Sequence, residues 1–193
     1  LQMNNLNVNV ASSIAHDADD LVNLLSPLEQ EVYDALNLAR TNPLRMKAQV
    51  KRMMTFLDHD GDLVFEWGKV ETIEGHEAYL DCIEFLDKVK MTEACHLNDN
   101  LLDLAKRLVI ENIDDGSNCI SGHIEHATED VIAEYGHALT YKDSVEYGPW
   151  ESGIDFIIHY IVDDGDKSRK NRNHLFDPST RYCGIALADH KLY

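Results

Sequence analysis

Two histidines three residues apart, His123 and His126, have a spacing that could do chemistry. On a helix this spacing places both imidazoles on one side, where they could bind zinc together with Glu125 or Glu129. A glycine before the pair and the helix N-cap candidate Thr128 after it favour a loop instead. The chain has 10 histidines, so chance pairs are common. Taken alone, the pair is interpreted as surface residues.

The motifs of several large enzyme classes are missing from the sequence. No stretch fits the nucleophile motif G-x-S-x-G, the phosphate-binding motif G-x-x-x-x-G-K or the dinucleotide-binding motif G-x-G-x-x-G. His76 and Glu77 begin like the zinc-protease motif H-E-x-x-H, but Leu80 stands where the second histidine is needed. These classes therefore lose their usual sequence support.

Three aspartates surround Gly61 in the stretch LDHDGDLVFEWG, as in a calcium-binding loop. An EF-hand loop has its glycine at the sixth position, whereas Gly61 is much closer to the first acid, Asp58. A plain turn before a short strand, Leu63–Phe65, is the better interpretation.

A basic run lies directly behind two acids, Asp163 and Asp164. Its members are Lys167, Arg169, Lys170 and Arg172. Two explanations stay open: the run is a solvated loop, or its side chains neutralise the clustered acids. An acid at a helix C-terminus is mildly unfavourable with the helix dipole, so Asp163 is either a solvated end residue or one held by a partner.

Length and charge limit the classes of protein. A chain of 193 residues with 44% hydrophobic content predicts one domain with one core. The formal net charge of -18 argues against nucleic acid or an anionic membrane as the main partner, although a local basic loop could bind an anion. No apolar run approaches the roughly 20 residues of a transmembrane helix.

The cysteines leave their oxidation state open. They are Cys82, Cys95, Cys119 and Cys183, and no C-x-x-C pair occurs among them, which disfavours zinc-ribbon and thioredoxin interpretations. Cys82 and Cys183 lie in apolar patterns, so core thiols and disulfides are equally good explanations.

The elements that must position these residues begin after a leader, residues 1–25, which is expected to be poorly ordered. Ser26 as N-cap, Pro27 and Glu29 then predict a helix start with a capping box. The following stretch, 40–43, predicts a helix end or kink because the residue before a proline avoids the helical region.

Apolar periodicity predicts four more helices and one further strand. The helices cover residues 74–90 and 97–112, a short one from Thr128 to Tyr135, and one from about Ile154 to Val162. The alternating tail RYCGIALA, residues 181–188, predicts a strand. Helices placed among a few strands without strict alternation indicate an α+β domain.

Five stretches in one order resemble the CAP superfamily, which includes the SCP/TAPS, cysteine-rich secretory and plant pathogenesis-related domains. They resemble in particular a branch with a D-D-G-x-x-S-R-G-H-R motif. The stretches are YDALNLARTNP, TIEGHEAYLDCIEFL, SGH followed by VIAEYG, IVDDGDKSRKNRNHLFDP and RYCGIALADHKLY. The quoted stretches run from residue 33 to residue 193, and the resemblance implies a CAP-like domain over residues 26–193.

The resemblance implies a three-layer α/β/α sandwich whose cleft holds two histidines and two acids. The first histidine falls on His123, the first acid on Asp143 with Glu146 as the alternative, and the second acid on Asp163. The second histidine position is occupied by Asn171, and His174 lies three residues further on.

That departure leaves two interpretations of the cleft. The tetrad has decayed and the cleft is structural, or His174 or His126 substitutes for the missing histidine and a metal, zinc in the first place, binds through His123 and His174.

The leading functional hypothesis is a CAP-like binding or scaffold domain that binds a small ligand, lipid or protein partner and requires no cofactor. The alternative is a metal-dependent hydrolase using His123, Asp143, Asp163 and His174. In a third hypothesis the acidic surface binds a basic partner. The resemblance also implies an extracellular or secretory-lumen location. Relatives continue into a final strand, so it further implies either a missing strand or an exposed sheet edge.

Overall fold

The computed structural model describes residues 21–114 and 148–188. Helices dominate this part of the chain and the strands are short, which confirms the predicted α+β class. The helices are α1 (Pro27–Thr41), α2 (Pro43–Met54), α3 (His76–Lys88), α4 (Asp99–Asp114), α5 (Gly153–Val162) and α6 (Lys170–Leu175). The strands are β1 (Leu63–Phe65), β2 (Gly68–Val70), β3 (His96–Leu97) and β4 (Tyr182–Cys183). None of the helices described here has the length and apolar character needed to cross a bilayer.

Helix α1 begins with the predicted capping box. The Ser26 hydroxyl accepts a hydrogen bond from the Glu29 backbone N–H at 3.3 Å, and the Glu29 carboxylate accepts one from the Ser26 N–H at 2.7 Å. The helix ends at Asn42, whose side chain accepts from the Arg45 N–H at 3.1 Å and thereby starts α2. The sequence patterns predict this helix end, but they do not predict α2.

The main core lies between α1, α2, α3 and α5, and each helix contributes one apolar stripe. Buried members include Val32, Ala39, Met46, Val50, Tyr79, Cys82, Leu86, Ile157, Ile158 and Ile161. Burying one such large side chain contributes about 1.5 to 3 kcal/mol. Helix α5 approaches α1 closely: a Cβ atom at Gly153 would lie 2.2 Å from the carbonyl carbon of Glu31. Only glycine fits at this contact.

Helices α3, α4 and α5 occur where apolar periodicity predicts them. Within residues 99–110 of α4, the buried apolar residues are Leu102 and Leu104. Leu102 packs with Leu97 and with Leu21, which belongs to the predicted leader. The predicted helix from Thr128 to Tyr135 lies outside the described residues.

A tight acidic turn precedes the hairpin of β1 and β2, as predicted for residues 58–65. The strands pair antiparallel, with Leu63 opposite Val70. The Asp58 carboxylate accepts hydrogen bonds from the N–H groups of Asp60 and Asp62, at 2.9 and 3.0 Å. Lys69 lies 2.8 Å from the Asp62 carboxylate. The carboxylates of this turn therefore accept hydrogen bonds from the turn's own backbone and form an ion pair with one lysine.

A second, parallel strand pair joins β3 to β4 near the end of the described chain. His96 lies opposite Tyr182, and Leu97 lies opposite Cys183. The predicted strand over residues 181–188 is therefore much shorter than expected. The segment behind it packs on α4, where a Cβ at Gly184 would lie 2.0 Å from the Leu101 carbonyl oxygen.

Candidate functional site

The residues Asp163, Asp164, Arg169 and Arg172 meet Glu74 and Asp81 at one corner of the fold, which we call the arginine corner. Two elements position it. The end of α5, the turn behind it and α6 supply the first four residues, and the beginning of α3 with the loop before it supplies the two carboxylates. Roughly 90 residues of chain separate the two elements, and the ion pairs join them.

Asp163 ends α5 in the left-handed conformation, with φ 55° and ψ 47°. Asp tolerates this region better than most residues. Its side chain turns toward α6, where one carboxylate oxygen accepts from the N–H of Asn171 at 2.9 Å and from that of Arg172 at 3.5 Å. Asp163 is buried, and its carboxylate has hydrogen-bond partners. The structure therefore supports the explanation in which partners hold this acid, and not the one in which it is a solvated end residue.

Asp164 binds the loop in front of α3. Its carboxylate accepts from the backbone N–H groups of Ile73, Glu74 and Gly75, at 2.5, 2.8 and 3.2 Å. Gly75 has φ 56°, a conformation that favours glycine, and it is the N-cap residue of α3. An acid therefore satisfies N–H groups at this helix start, where negative charge is favourable.

Arg169 pairs with Glu74 in a bidentate arrangement, with its two terminal nitrogens 2.6 and 2.9 Å from the two carboxylate oxygens. It also donates from Nε to Asp81 at 3.0 Å and to the Asp163 carbonyl at 2.8 Å. The hydrogen bonds from Arg169 hold the pKa of Glu74 below its usual value, and Glu74 in turn raises the pKa of Arg169.

Arg172 is the more deeply buried of the two arginines, with its side chain 3% exposed. It donates to the carbonyl oxygens of Ile161 at 2.5 Å and Val162 at 3.0 Å, and to the Asp81 carboxylate at 2.8 Å. Its guanidinium lies over the Phe85 ring at 5.3 Å from the centroid. Burial alone would raise the pKa of Asp81, but the hydrogen bonds from Arg172 and Arg169 outweigh it and the pKa is lowered.

The basic run therefore divides by residue type. Lys167 and Lys170 are exposed, in agreement with the solvated-loop explanation, whereas both arginines point inward and contradict it. The arginine side chains also pair with Glu74 and Asp81 rather than with the neighbouring Asp163 and Asp164 carboxylates, which accept from backbone N–H groups. Glu74 and Asp81 are functional candidates that the sequence reasoning missed. Glu74 could have been found as the acid of the E-G-x-x-A stretch, but no local pattern indicates its partner.

Three of the predicted cleft residues are described, and all three lie in this region. Asp163 and Asn171 are joined by the hydrogen bond to the Asn171 N–H, while His174 follows in α6 and is half-buried. The other candidates lie outside the described residues: His123, His126, Asp143 and Glu146. Within residues 21–114 and 148–188, no group of three or more His, Cys, Asp or Glu side chains is arranged to bind a metal ion. Asp163 is the expected second acid, but Asn171 supplies an amide where the pattern has its second histidine, so this pair offers a metal ion no imidazole.

An open groove of about 590 Å³ runs between α3 and the loop that carries the basic run. Glu84, Phe85 and Lys88 line it on the α3 side, and Lys167, Ser168 and Asn173 line it on the loop side. The groove also reaches Arg169 and Arg172. Charged side chains thus dominate its lining, and Lys88 and Lys167 are both exposed.

Comparison of the chain with models of protein families, with curated proteins and with solved structures gave no match.

Proposed function

We propose that this chain is a secreted CAP-like domain with the three-layer α/β/α sandwich of that superfamily, and that it binds a protein partner without catalysing a reaction. The observation that carries the proposal is the state of Asp163. This acid is buried, and its carboxylate accepts from the backbone of α6. The residue beside it, Asn171, stands where the CAP pattern has its second histidine.

The chemistry of this pair supports binding more than turnover. A hydrolytic metal site needs converging ionised acids and neutral imidazoles, with one position open for water. Here the acid positions the N-terminus of α6, and an amide takes the place of one imidazole. His123 is the one histidine that the expected tetrad keeps, unless His174 substitutes for the missing one.

The groove beside the arginine corner supports a protein rather than a lipid as the partner. Lipid tails and most small ligands bind in concave, largely apolar cavities. Among the residues that line this open groove, Phe85 is the one aromatic side chain, and lysines, arginines and carboxylates surround it. Such a surface can match the alternating charges and backbone amides of a peptide segment.

Selection of a random peptide display library on the full chain tests the proposal. Peptides selected for binding are expected to lose at least about tenfold in affinity to the groove variant Lys88→Glu/Lys167→Glu, because both lysines line the groove. The matched control is Lys51→Glu/Lys90→Glu, which makes the same charge change at two exposed lysines that do not line the groove. Equal loss in both variants, or in neither, would contradict the proposed groove.

Zinc calorimetry separates binding from the hydrolase alternative. We expect no one-to-one zinc binding at micromolar affinity near neutral pH. Micromolar binding that is lost in both His123→Ala and His174→Ala would overturn the non-catalytic proposal, because it would show that His174 replaces the missing histidine. The hydrolase using His123, Asp143, Asp163 and His174 would then be the better function.

A further inference from the structure

Four aromatic rings meet at the hairpin of β1 and β2, and we call them the aromatic cluster: Phe56, Phe65, Trp67 and Trp150. Phe65 lies at the centre. Its ring centroid is 5.2 Å from that of Phe56, 4.8 Å from that of Trp67 and 6.4 Å from that of Trp150. Trp150 belongs to the main core and Phe65 is half-buried, so the cluster extends from the core to the surface at Trp67.

Trp67 forms a fixed, flat surface at the outer end of the cluster. It stands in the two-residue turn between β1 and β2, and its ring stacks on that of Phe65 with an angle of 10° between the ring planes. Phe65 therefore covers one face of the indole. Trp67 is nevertheless 51% exposed, so much of the opposite face is open to solvent. Because the stacking already fixes the indole, a partner that binds it costs little side-chain freedom.

The chain around this indole is strongly acidic. Residues 58–71 contain five acids and one lysine. That lysine, Lys69, lies 3.2 Å from the Asp58 carboxylate and 2.8 Å from the Asp62 carboxylate, so its charge is already compensated. Glu66 precedes the indole in the turn; it is exposed and forms no ion pair within the described part of the chain. The open indole face thus has a free negative charge beside it.

We propose that the open face of Trp67, together with Glu66, binds an arginine side chain from a basic segment of a protein partner. A guanidinium group is planar, so it can stack on the indole by a cation–π contact while its N–H groups pair with a carboxylate. Tryptophan and arginine are also the residue types that contribute most to protein interfaces. The net charge of -18 attracts a basic segment from a distance.

This surface is separate from the groove beside the arginine corner, because no residue of the aromatic cluster lines that groove. The inference therefore goes beyond the proposed function and does not depend on it.

Two peptides of equal charge, hexa-arginine and hexa-lysine with blocked termini, separate stacking from general attraction. We expect the full chain to bind hexa-arginine at least about threefold more tightly than hexa-lysine at about 0.15 M salt, because the planar group stacks better on an indole. Fluorescence anisotropy of labelled peptides measures both affinities. Hexa-arginine should also change the tryptophan emission, since Trp67 is the exposed one of the two tryptophans and Trp150 is buried.

Replacement of Trp67 by alanine should abolish the preference for arginine and lower the affinity for hexa-arginine at least about fivefold. Tyr182→Ala is the matched control, because Tyr182 is an aromatic residue of similar exposure, 59%, that follows Arg181 in the chain rather than an acid. It should bind both peptides as the unsubstituted chain does. Trp67→Phe keeps a ring that can stack on Phe65, so its affinity should be intermediate.

Replacement of Glu66 by glutamine should weaken hexa-arginine binding about two- to fourfold. The control for charge is Asp103→Asn, which removes one exposed acid from α4 and should have little effect. The groove variant Lys88→Glu/Lys167→Glu should bind hexa-arginine at least as tightly as the unsubstituted chain, so failure of this inference can be distinguished from failure of the proposed groove.

Equal affinity of the unsubstituted chain for the two peptides would overturn the proposal, and so would an arginine preference that persists in Trp67→Ala. Binding of a neutral oligosaccharide such as chitohexaose through Trp67, without binding of hexa-arginine, would overturn it in favour of a sugar-binding face. The comparison of the two peptides needs no substitution, so it remains decisive if a variant fails to fold.

Discussion

Arg40 and Arg172 are both buried, but the protein satisfies their charges in different ways. Arg40 is fully buried and donates to the backbone carbonyls of Glu93, Leu175, Asp177 and Thr180. Arg172 donates to two carbonyls and to the Asp81 carboxylate, which Arg169 shares.

The difference shows two ways of joining distant segments. Carbonyl oxygens do not titrate, so the contacts around Arg40 persist at any pH at which the chain is folded. The arginine corner depends on ionised Glu74 and Asp81, so it weakens when these acids are protonated. We therefore expect the Arg40 site to act as a permanent structural link, and the arginine corner to respond to acid.

Replacement of Arg40 by methionine should have the largest effect on stability. It leaves buried carbonyl oxygens without donors, and we expect the free energy of unfolding to fall by about 4 kcal/mol. Urea denaturation measures the change. Arg52→Met is the control, since the Arg52 side chain is 56% exposed and makes one surface ion pair with Asp155. Its expected loss is under about 1 kcal/mol. A small loss for Arg40→Met would mean that its carbonyl contacts are replaceable by water.

Replacement of Arg172 by methionine should cost slightly less, about 3 kcal/mol, because part of the loss falls on Asp81, which water can reach. A double-mutant cycle with Asp81→Asn sharpens the comparison. Coupling between Arg172→Met and Asp81→Asn should exceed about 1 kcal/mol, whereas Arg40→Met and Asp81→Asn should be additive. Additivity in both cycles would contradict a special role for the carboxylate.

Replacement of Asp163 by asparagine tests whether this acid is structural. Asparagine tolerates the left-handed conformation and keeps one acceptor oxygen for the α6 backbone, so we expect a loss of about 1 to 2 kcal/mol. Asp60→Asn is the control, because the Asp60 side chain is 78% exposed. Unchanged stability of Asp163→Asn would argue that the acid is kept for another purpose.

The smallest effect should be the contribution of Glu74 to acid sensitivity. Its pKa is lower in the folded chain than in the unfolded chain, so its contribution is complete well above the ordinary glutamate pKa of about 4.3 and is lost as pH falls through the folded value. The free energy of unfolding, measured between neutral and acidic pH, should therefore fall less steeply with acid in Glu74→Gln than in the unsubstituted chain. The difference should stay under about 1 kcal/mol, because Arg169 also donates to Asp81 and to the carbonyl oxygens of Asp163 and Asp166. If the free energy of unfolding depends on pH in the same way in both proteins, other carboxylates cause the acid sensitivity.

Local patterns predicted the elements with chemical start and stop signals. The Ser26 capping box, the turn at Asp58 and the apolar stripe of α5 each act within a few residues, so the sequence displays them directly. Helix α2 has such signals as well, with Asn42 as N-cap, but the break before Pro43 predicts only a helix end or kink.

The arginine corner and the short α6 could not be predicted in the same way. The inward direction of Arg169 and Arg172 depends on Glu74 and Asp81, far away in the sequence, and only the packing of α5 against α3 brings them near. The basic run alone is equally compatible with a solvated loop. The family resemblance indicates Asp163 as a cleft candidate, whereas the contacts of its carboxylate with backbone N–H groups are evident only in the folded chain.

The shared cap at Asn42 also bears on which insertions and deletions the chain can tolerate. Because this one residue closes α1 and opens α2, no loop is available to absorb a change in length. One added residue within α2 would turn everything beyond it by about 100° and shift it by about 1.5 Å, which would move Met46 and Val50 out of register with the core. The exposed end of the turn at His59 and Asp60 has no such constraint. Natural length variation, loop grafting and circular permutation should therefore concentrate at that turn and avoid the junction of the first two helices.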